Sequence, residues 1–312
     1  MARKKKKLSL NIFKIFFGSV KIYFLYLDKF VKYLMFPVMG QILGLIVLFT
    51  IAYLFNVNAS TLQEKIPFLS DEKNFFIAYL ICLAPFFAIF IKAFYEYIIA
   101  FASLNSVCYI ITPKKKVQDI DFKTHDSAIE RRLLPYVALL FLASVLSIVL
   151  AFPFFWIFAP FIILMFQVFA LEQSSGPISS IGRSIDLVKG HYFITLIAIV
   201  LSALLTYFLI PGLFMWALDY FKITPFLNAP VEKFVSVLPI DLSRVNETLM
   251  TLGVSTITSL DIARMLTEST IYSIFIMFTL PLRCCVFTNL YAALDIDAIG
   301  KNAQGDGNDG ND

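Results

Sequence analysis

Long runs of apolar residues dominate this chain and limit what it can fold into. Hydrophobic residues make up 59% of its 312 positions, and only 15% of the positions are charged. A helix needs about 20 mostly apolar residues to cross roughly 30 Å of hydrocarbon. A segment in lipid must also satisfy its own backbone hydrogen bonds, which favours helices. The sequence therefore predicts an all-α, polytopic membrane protein.

Six apolar runs are long enough to be membrane spans, and together they define a membrane domain over residues 33–295. The segment 218–267 is predicted to be a non-cytoplasmic loop that contains short helices. Residues 296–312 are predicted to be a disordered tail, because this end is rich in Gly, Asn and Asp. The predicted spans are residues 33–57, 75–97 with an extension to 112, 133–152, 154–171, 192–217 and 269–291.

The distribution of Lys and Arg predicts the orientation, since cytoplasmic flanks carry an excess of these residues. Basic residues open the chain in "ARKKKK" and follow the second predicted span in "TPKKKVQDIDFKTHDSAIERR". Arg183 and Lys189 follow the fourth. With six spans, all of these segments lie on one side. We therefore expect an inner or plasma membrane protein with both termini in the cytoplasm.

Residues 1–32 combine the basic start with a predicted amphipathic helix. Its small or polar positions recur at helical steps and form one narrow stripe, and nearly all of the other positions are apolar. Such a helix is typical of the membrane interface. The alternative is a structural collar that packs on the protein's own spans, and the two interpretations are compatible. The stripe consists of Asn11, Lys14, Gly18, Lys21, Asp28 and Lys32.

The same basic residues predict the nature of the partner. Lysines beside a membrane span favour anionic lipid headgroups. We interpret the basic cluster as an orientation signal and a lipid contact and expect no nucleic acid partner, although a membrane-protein partner is also compatible with the sequence. The predicted lipid contacts are Lys4, Lys5, Lys6, Lys7, Lys14 and Lys21.

The most polar stretch in the middle of the chain is "EQSSGPISSIGRS", residues 172–184. The sequence disfavours a phosphate-binding loop, because Gly176 and Gly182 are separated by five residues instead of four and Arg183 stands where the motif has a lysine. The stretch instead predicts a joint that leads into a surface helix. Pro177 suits the first helical position and Gly190 the left-handed end. Its predicted apolar face contains Ile178, Ile181, Ile185 and Val188.

A family resemblance rests on this joint and on the last predicted span. The motif residues are Pro160, Glu172, Gly176, Ser184, Leu187, Lys189 and Gly190, with Pro281 and "TNLYAALD" near the end. This pattern resembles the YciC-like and glycerophosphodiester-phosphodiesterase membrane-domain family of bacterial six-span proteins. The resemblance implies a six-helix bundle. Catalysis in those phosphodiesterases belongs to a separate soluble barrel domain, which we do not expect here.

One feature departs from the family pattern. A basic residue closes the tyrosine motif in that family, whereas Asp295, Ile296 and Asp297 stand at this end of the present chain. The final helix is therefore where the resemblance is weakest.

Polar residues within the predicted spans form the candidate functional cluster, since ionisable groups in a bilayer are costly. Lys92 and Glu96 are one helical turn apart and are spaced to pair. Arg283 lies past the middle of the sixth span and needs an acceptor, for which Glu96 and Glu172 are the candidates. A structural ion pair and a substrate-facing or proton-relay role both remain open. The cluster comprises Lys92, Glu96, Gln167, Glu172 and Arg283.

No set of residues predicts catalysis, a cofactor or a metal site. His125 and His191 are isolated in the sequence, and the four cysteines lie in or beside apolar spans, where free thiols are expected. The preferred hypothesis is a non-enzymatic membrane protein with a structural, envelope or assembly role. The alternatives are a transporter or lipid-handling protein with a polar cavity, and a membrane anchor that recruits a cytoplasmic partner through residues 113–135.

Overall fold

The computed structural model describes residues 11–111, 120–149, 155–237, 242–253 and 255–305. These ranges are helical and contain no strand, so the all-α class is confirmed for them. A 3₁₀ turn at Pro67–Ser70 and a π-helical turn at Leu204–Leu209 interrupt the series. The α-helices are α1 (Ile12–Leu25), α2 (Leu27–Val57), α3 (Ala59–Lys65), α4 (Glu72–Cys82), α5 (Ala84–Ile110), α6 (Phe122–Glu130), α7 (Leu133–Val149), α8 (Phe155–Ile162), α9 (Met165–Leu171), α10 (Pro177–Val188), α11 (Tyr192–Ala203), α12 (Ile210–Tyr220), α13 (Ile223–Val237), α14 (Leu242–Thr251), α15 (Ser259–Phe278) and α16 (Leu280–Gly305).

Four helical stretches of the described residues are long and apolar enough to cross a membrane, namely Leu27–Val57, Glu72–Ile110, Tyr192–Tyr220 and Ser259–Ala298. A fifth is reached if α6 and α7, which are bent by 80°, count as one span. The expectation of six spans is not confirmed.

The shortfall concerns two predicted spans. The third, residues 133–152, counts only when α7 is joined to α6, and the fourth, residues 154–171, is too short among the described residues. This fourth segment folds as α8 and α9, which have eight and seven residues and are separated by a break. At 1.5 Å per residue, each helix is about 10–12 Å long, less than half of the hydrocarbon thickness. Taken together across the turn at residues 163–164, the apolar helix Ile157–Leu171 has 15 residues and is about 22 Å long, which is still shorter than the roughly 30 Å of hydrocarbon.

The chain divides into two compact units. The first comprises residues 1–33, 98–208 and 279–312, and the second comprises residues 34–97 and 209–278. In the first unit, α10 packs against α7, α8, α9 and α16, and α1 packs against α11 and α16. A buried apolar cluster lies in this unit and consists of Ile99, Ala102, Ile129, Tyr136, Leu139, Met165 and Phe169.

Helix α1 buries one face against the first unit, as the collar interpretation expects. Its buried residues are Ile12, Phe16, Ser19, Ile22 and Tyr23. Ser19 donates to the Cys285 carbonyl at 3.2 Å and accepts from Asn289 Nδ2 at 2.8 Å. Burial raises the pKa of Tyr23 to about 12, so its hydroxyl stays neutral near physiological pH. The helix is thereby fixed to α16 by polar as well as apolar contacts.

The opposite face of α1 is exposed and has two parts. Phe13, Phe17 and Phe24 are each more than half exposed and lie within about 40° of one another around a helix of 3.6 residues per turn. Lys14 and Lys21 lie beside them and are also exposed. Helix α1 ends at Leu25, and Tyr26 breaks it before α2 begins. The predicted polar stripe is therefore divided, since Asp28 and Lys32 belong to α2.

In the second unit, α13 packs against α12 and α15. Helices α2 and α5 approach closely at Gly40 and Gly44. A Cβ atom built on Gly40 would lie 2.7 Å from the Ala93 Cβ, and one on Gly44 would lie 3.0 Å from the Phe90 Cβ. Glycines four residues apart allow helix backbones to approach in this way. The contact therefore depends on the absence of side chains at these two positions.

Two other segments differ in detail from the expected organisation. The predicted loop 218–267 contains α13 and α14, and its last residues belong to the long helix α15. Helix α16 continues to Gly305, past the start of the predicted tail at residue 296. Residues 306–312 lie outside the described residues, as do residues 1–10 with Lys4, Lys5, Lys6 and Lys7.

The close approach at Gly40 predicts a specific stability effect. Gly40→Ala should destabilise the protein by about 1–3 kcal/mol through overpacking against Ala93. The double change Gly40→Ala with Ala93→Gly should recover much of this loss, because it removes the opposing methyl group. Gly212→Ala is the control, since a Cβ there has no neighbour within 4 Å. Thermal unfolding in detergent measures all three variants, and equal behaviour of Gly40→Ala and Gly212→Ala would contradict the packing.

Candidate functional site at the α9–α10 joint

The five residues of the predicted polar cluster belong to both units. Lys92 and Glu96 lie in the second unit, and Gln167, Glu172 and Arg283 lie in the first. The expected pairing of Lys92 with Glu96 is not formed among the described side chains. Lys92 is exposed, and its Nζ lies 5.4 Å from the centre of the Phe36 ring in a cation–π contact. The spacing of one helical turn places Lys92 and Glu96 on the same side of α5, but the described side chains do not form an ion pair.

Gln167 is buried and bonds to a residue that the sequence analysis did not single out. Its Nε2 donates to Asn105 Oδ1 at 3.0 Å, and Asn105 Nδ2 donates to the Phe101 carbonyl at 3.0 Å. The Thr288 hydroxyl donates to the Asn105 carbonyl at 3.3 Å. These bonds join α5, α9 and α16. Gln167 Oε1 is buried and has no hydrogen-bond partner among the described residues.

Glu172 is the centre of a second polar network, at the joint between α9 and α10. Its Oε1 accepts from the Tyr291 hydroxyl at 3.0 Å and from Arg183 Nε at 3.4 Å. Its Oε2 accepts from the Ser175 hydroxyl at 3.1 Å. The ion pair of Glu172 is thus formed with Arg183, instead of the Arg283 pairing considered from the sequence. One carboxylate connects the joint to α10 and α16.

Arg183 completes the network by binding two carboxylates. Besides Glu172, its guanidinium contacts Asp295, with Nη2 at 2.6 Å from Oδ1. Asp295 is one of the residues near the end of the chain where the resemblance implies a basic side chain, and in the structure its carboxylate pairs with Arg183. The three side chains are about one-third exposed. The network therefore lies at a surface that solvent reaches.

Arg132 closes the other side of the joint. Its Nη1 donates to the Phe169 carbonyl at 2.9 Å and its Nη2 to the Ser175 carbonyl at 2.6 Å. The guanidinium also stacks 4.1 Å from the Phe169 ring centre. Burial lowers the pKa of Arg132, although an arginine stays protonated near neutral pH. The first bond satisfies a carbonyl in the last turn of α9, which has no partner within the helix. The second satisfies a carbonyl in the turn that leads into α10.

Helix α10 is rotated relative to the predicted amphipathic face. Pro177 is its first residue and Gly190 has a φ of +82°, as expected. Its buried side, however, includes Ser180 and Ser184, whereas Ile178 is 79% exposed. The Ser184 hydroxyl donates to the Phe161 carbonyl at 2.7 Å. Small hydroxyl side chains allow α10 to lie close to α8, and the Ser184 hydroxyl also satisfies a carbonyl of α8. The hydrophobic pattern of α10 alone does not predict that these serines are buried.

The remaining sequence candidates also have neighbours in the first unit. His191 was expected to be isolated, but its Nε2 lies 3.2 Å from Asp297 Oδ2. The Arg283 guanidinium lies 4.8 Å from the centre of the Tyr207 ring. The sequence carries no specific signal for Asn105, one polar residue in an apolar run, or for Arg132, one of several charges before α7. It marks Tyr291 and Asp295 only as motif positions. Their roles depend on partners that are distant in sequence.

An open cleft of about 560 Å³ in the second unit is lined by residues outside the predicted cluster, which are Met215, Asp219, Glu268, Ser269, Tyr272 and Ser273. Among the described residues, no group of three or more His, Cys, Asp or Glu side chains is placed to hold a metal ion.

Comparisons of this chain with known protein families, curated proteins and solved structures find no match. The resemblance to the YciC-like group therefore stays a prediction from the motif residues. What the structure adds is a physical role for several of them. Glu172 holds the joint, Ser184 and Leu187 face the interior, and Gly190 adopts the left-handed conformation.

The network at Glu172 predicts a salt-dependent contribution to stability. Arg183→Gln should lower the free energy of unfolding by about 1 kcal/mol at low salt, the upper end for exposed pairs, because it leaves two carboxylates without their cation. High salt should reduce the difference by screening. Lys189→Gln is the matched control, since the Lys189–Asp186 pair is far more exposed and should contribute little. Thermal unfolding at two salt concentrations measures the difference between Arg183→Gln and the wild type. A loss of stability that does not depend on salt would mean that Arg183 contributes through packing and not through its charge.

Proposed function

We propose that this protein is a non-enzymatic, integral inner-membrane protein with a structural or assembly role, oriented with both termini in the cytoplasm. Supporting this proposal, the polar side chains of the first unit bond mainly to one another and to helix ends. Glu172, Arg183 and Arg132 satisfy groups of the joint, and Gln167 bonds to Asn105. Hydrogen bonds and ion pairs of this kind stabilise the packing of the helices against one another. A six-span topology is part of the proposal, with α8 and α9 as a broken sixth crossing.

The proposed partner is the lipid bilayer, with α1 at the interface. The observation that carries this point is the division of α1 into three faces. One face packs on α16, one presents Phe13, Phe17 and Phe24, and one presents Lys14 and Lys21. Aromatic rings beside lysines suit the boundary between acyl chains and anionic headgroups. Helix α1 packs on α16 with its buried face, and its exposed faces are available to contact lipid.

Lipid analysis of protein extracted in native-membrane nanodiscs tests this partner. Wild-type discs should be enriched in acidic phospholipid relative to the bulk membrane. The double change Lys14→Glu with Lys21→Glu should reduce this enrichment roughly fivefold or more, since each basic residue near an anionic surface contributes about 1 kcal/mol. Lys65→Glu with Lys73→Glu is the charge-matched control on exposed lysines of the second unit. Equal enrichment in both double variants would contradict lipid binding by α1.

A transporter or lipid-handling role is the second candidate, and one observation favours it. Gln167 Oε1 is buried without a hydrogen-bond partner among the described residues. A buried amide oxygen of this kind carries a cost of about 1–3 kcal/mol unless something binds it. A polar solute or a proton-carrying group passing between α5 and α9 would supply that partner.

Substitutions at Asn105 and Gln167 distinguish the structural role from the transporter role. If the pair is structural, Gln167→Leu with Asn105→Leu should destabilise the protein by less than the sum of the two single changes, because no buried polar partner is left behind. Cells that depend on the protein should then grow normally with any variant that folds. A double variant with wild-type thermal stability that fails to support growth would favour the transporter role instead.

A further inference from the structure

We infer that Cys108 and Cys285 form an oxidation-sensitive dithiol that closes to a disulfide between α5 and α16. The Cys108 thiol lies 3.1 Å from the sulfur of Cys285. Both residues are free cysteines and are at most 1% exposed. They are 177 positions apart in the chain, so only the fold brings them together.

The geometry requires only a small movement. A disulfide bond is 2.03–2.05 Å long, so the two sulfur atoms have to approach by about 1 Å. Cys108 has its other polar contact with the Pro281 carbonyl, at 3.7 Å, in the first turn of α16. The thiol of Cys108 is therefore already directed at α16 in the reduced protein.

The pairing is specific for Cys285 although Cys284 is its neighbour in the chain. The Cys284 sulfur lies 4.0 Å from the Phe101 carbonyl, two helical turns before Cys108 on α5. Adjacent residues on a helix point about 100° apart. The fourth cysteine, Cys82, is exposed and belongs to the second unit. Of the four cysteines, Cys108 and Cys285 are therefore the pair positioned to form a disulfide within one molecule.

Burial determines the class of oxidant. Helix α1 packs on the turn that carries Cys285, through the bond from Ser19 to the Cys285 carbonyl. Charged oxidants do not enter such a site readily, because burying a charge without a partner is costly. We therefore name an organic hydroperoxide, the class that includes peroxidised lipid, as the oxidant.

The reaction balances in two steps. The sulfur of the first thiol bonds to the terminal oxygen of the hydroperoxide as the O–O bond breaks, and the thiol proton passes to the departing alkoxide, giving a sulfenic acid and an alcohol. The second thiol then attacks the sulfenic sulfur, forming the S–S bond and releasing water. Overall, two thiols are oxidised by two electrons, and one hydroperoxide is reduced to an alcohol and water.

The test uses the full chain in lipid nanodiscs, in a Cys82→Ser background that prevents crosslinks between molecules. Cumene hydroperoxide is added, remaining thiols are alkylated after denaturation, and the protein is digested without reduction. Mass spectrometry should find a peptide pair joined through Cys108 and Cys285 and a loss of two alkylatable thiols. The oxidised protein should melt at a higher temperature, and dithiothreitol should reverse the shift.

Three variants make the result decisive. Cys108→Ala and Cys285→Ala should abolish both the joined peptide and the shift in melting temperature, whereas Cys284→Ala should retain them. If a buried alanine prevents folding, the peptide map of the Cys82→Ser protein alone decides the pairing. A bridge from Cys108 to Cys284, a sulfinic acid at Cys108 without any bridge, or the full number of alkylatable thiols after oxidation would each overturn the inference.

Discussion

The presence of helices long and apolar enough to cross a membrane is the constraint on which the rest of the structure depends. A backbone amide in hydrocarbon has no water to bond, so each span has to be helical throughout or to satisfy its breaks with other groups. Four helical stretches meet this requirement by length and composition. At the break between α9 and α10, polar side chains collect, because free carbonyls and amides have to be satisfied there.

The joint between α9 and α10 illustrates this relation. The chain leaves the apolar helix α9, turns and enters the amphipathic helix α10 within a few residues. Arg132 binds one carbonyl in the last turn of α9 and one in the turn that follows it. Glu172 accepts hydrogen bonds from the turn, from α10 and from α16. The same glycine- and serine-rich composition that suggests a phosphate loop is therefore used to turn the chain and to anchor it.

Much of this could be predicted from the sequence. The apolar runs gave the helical class, and Pro177 and Gly190 marked the limits of the surface helix. The polar partners could not be predicted, because a pair such as Arg183 and Asp295 is 112 residues apart. Asp295 illustrates this difficulty. The predicted resemblance implies a basic residue at this end of the chain, whereas in the structure the Asp295 carboxylate forms an ion pair with Arg183.

The sequence by itself determined the apolar composition of the long helices and the residues at which helices such as α10 begin and end. Hydrophobicity and backbone preferences act over a few residues, so they can be recognised locally. Only the tertiary structure decided which residues meet. It divided residues 154–171 into two short helices, turned Ser180 and Ser184 of α10 inward, and placed Cys108 against Cys285. Contacts of this kind depend on the close packing of distant segments, where small side chains and hydrogen-bond geometry outweigh the hydrophobic pattern of any one helix.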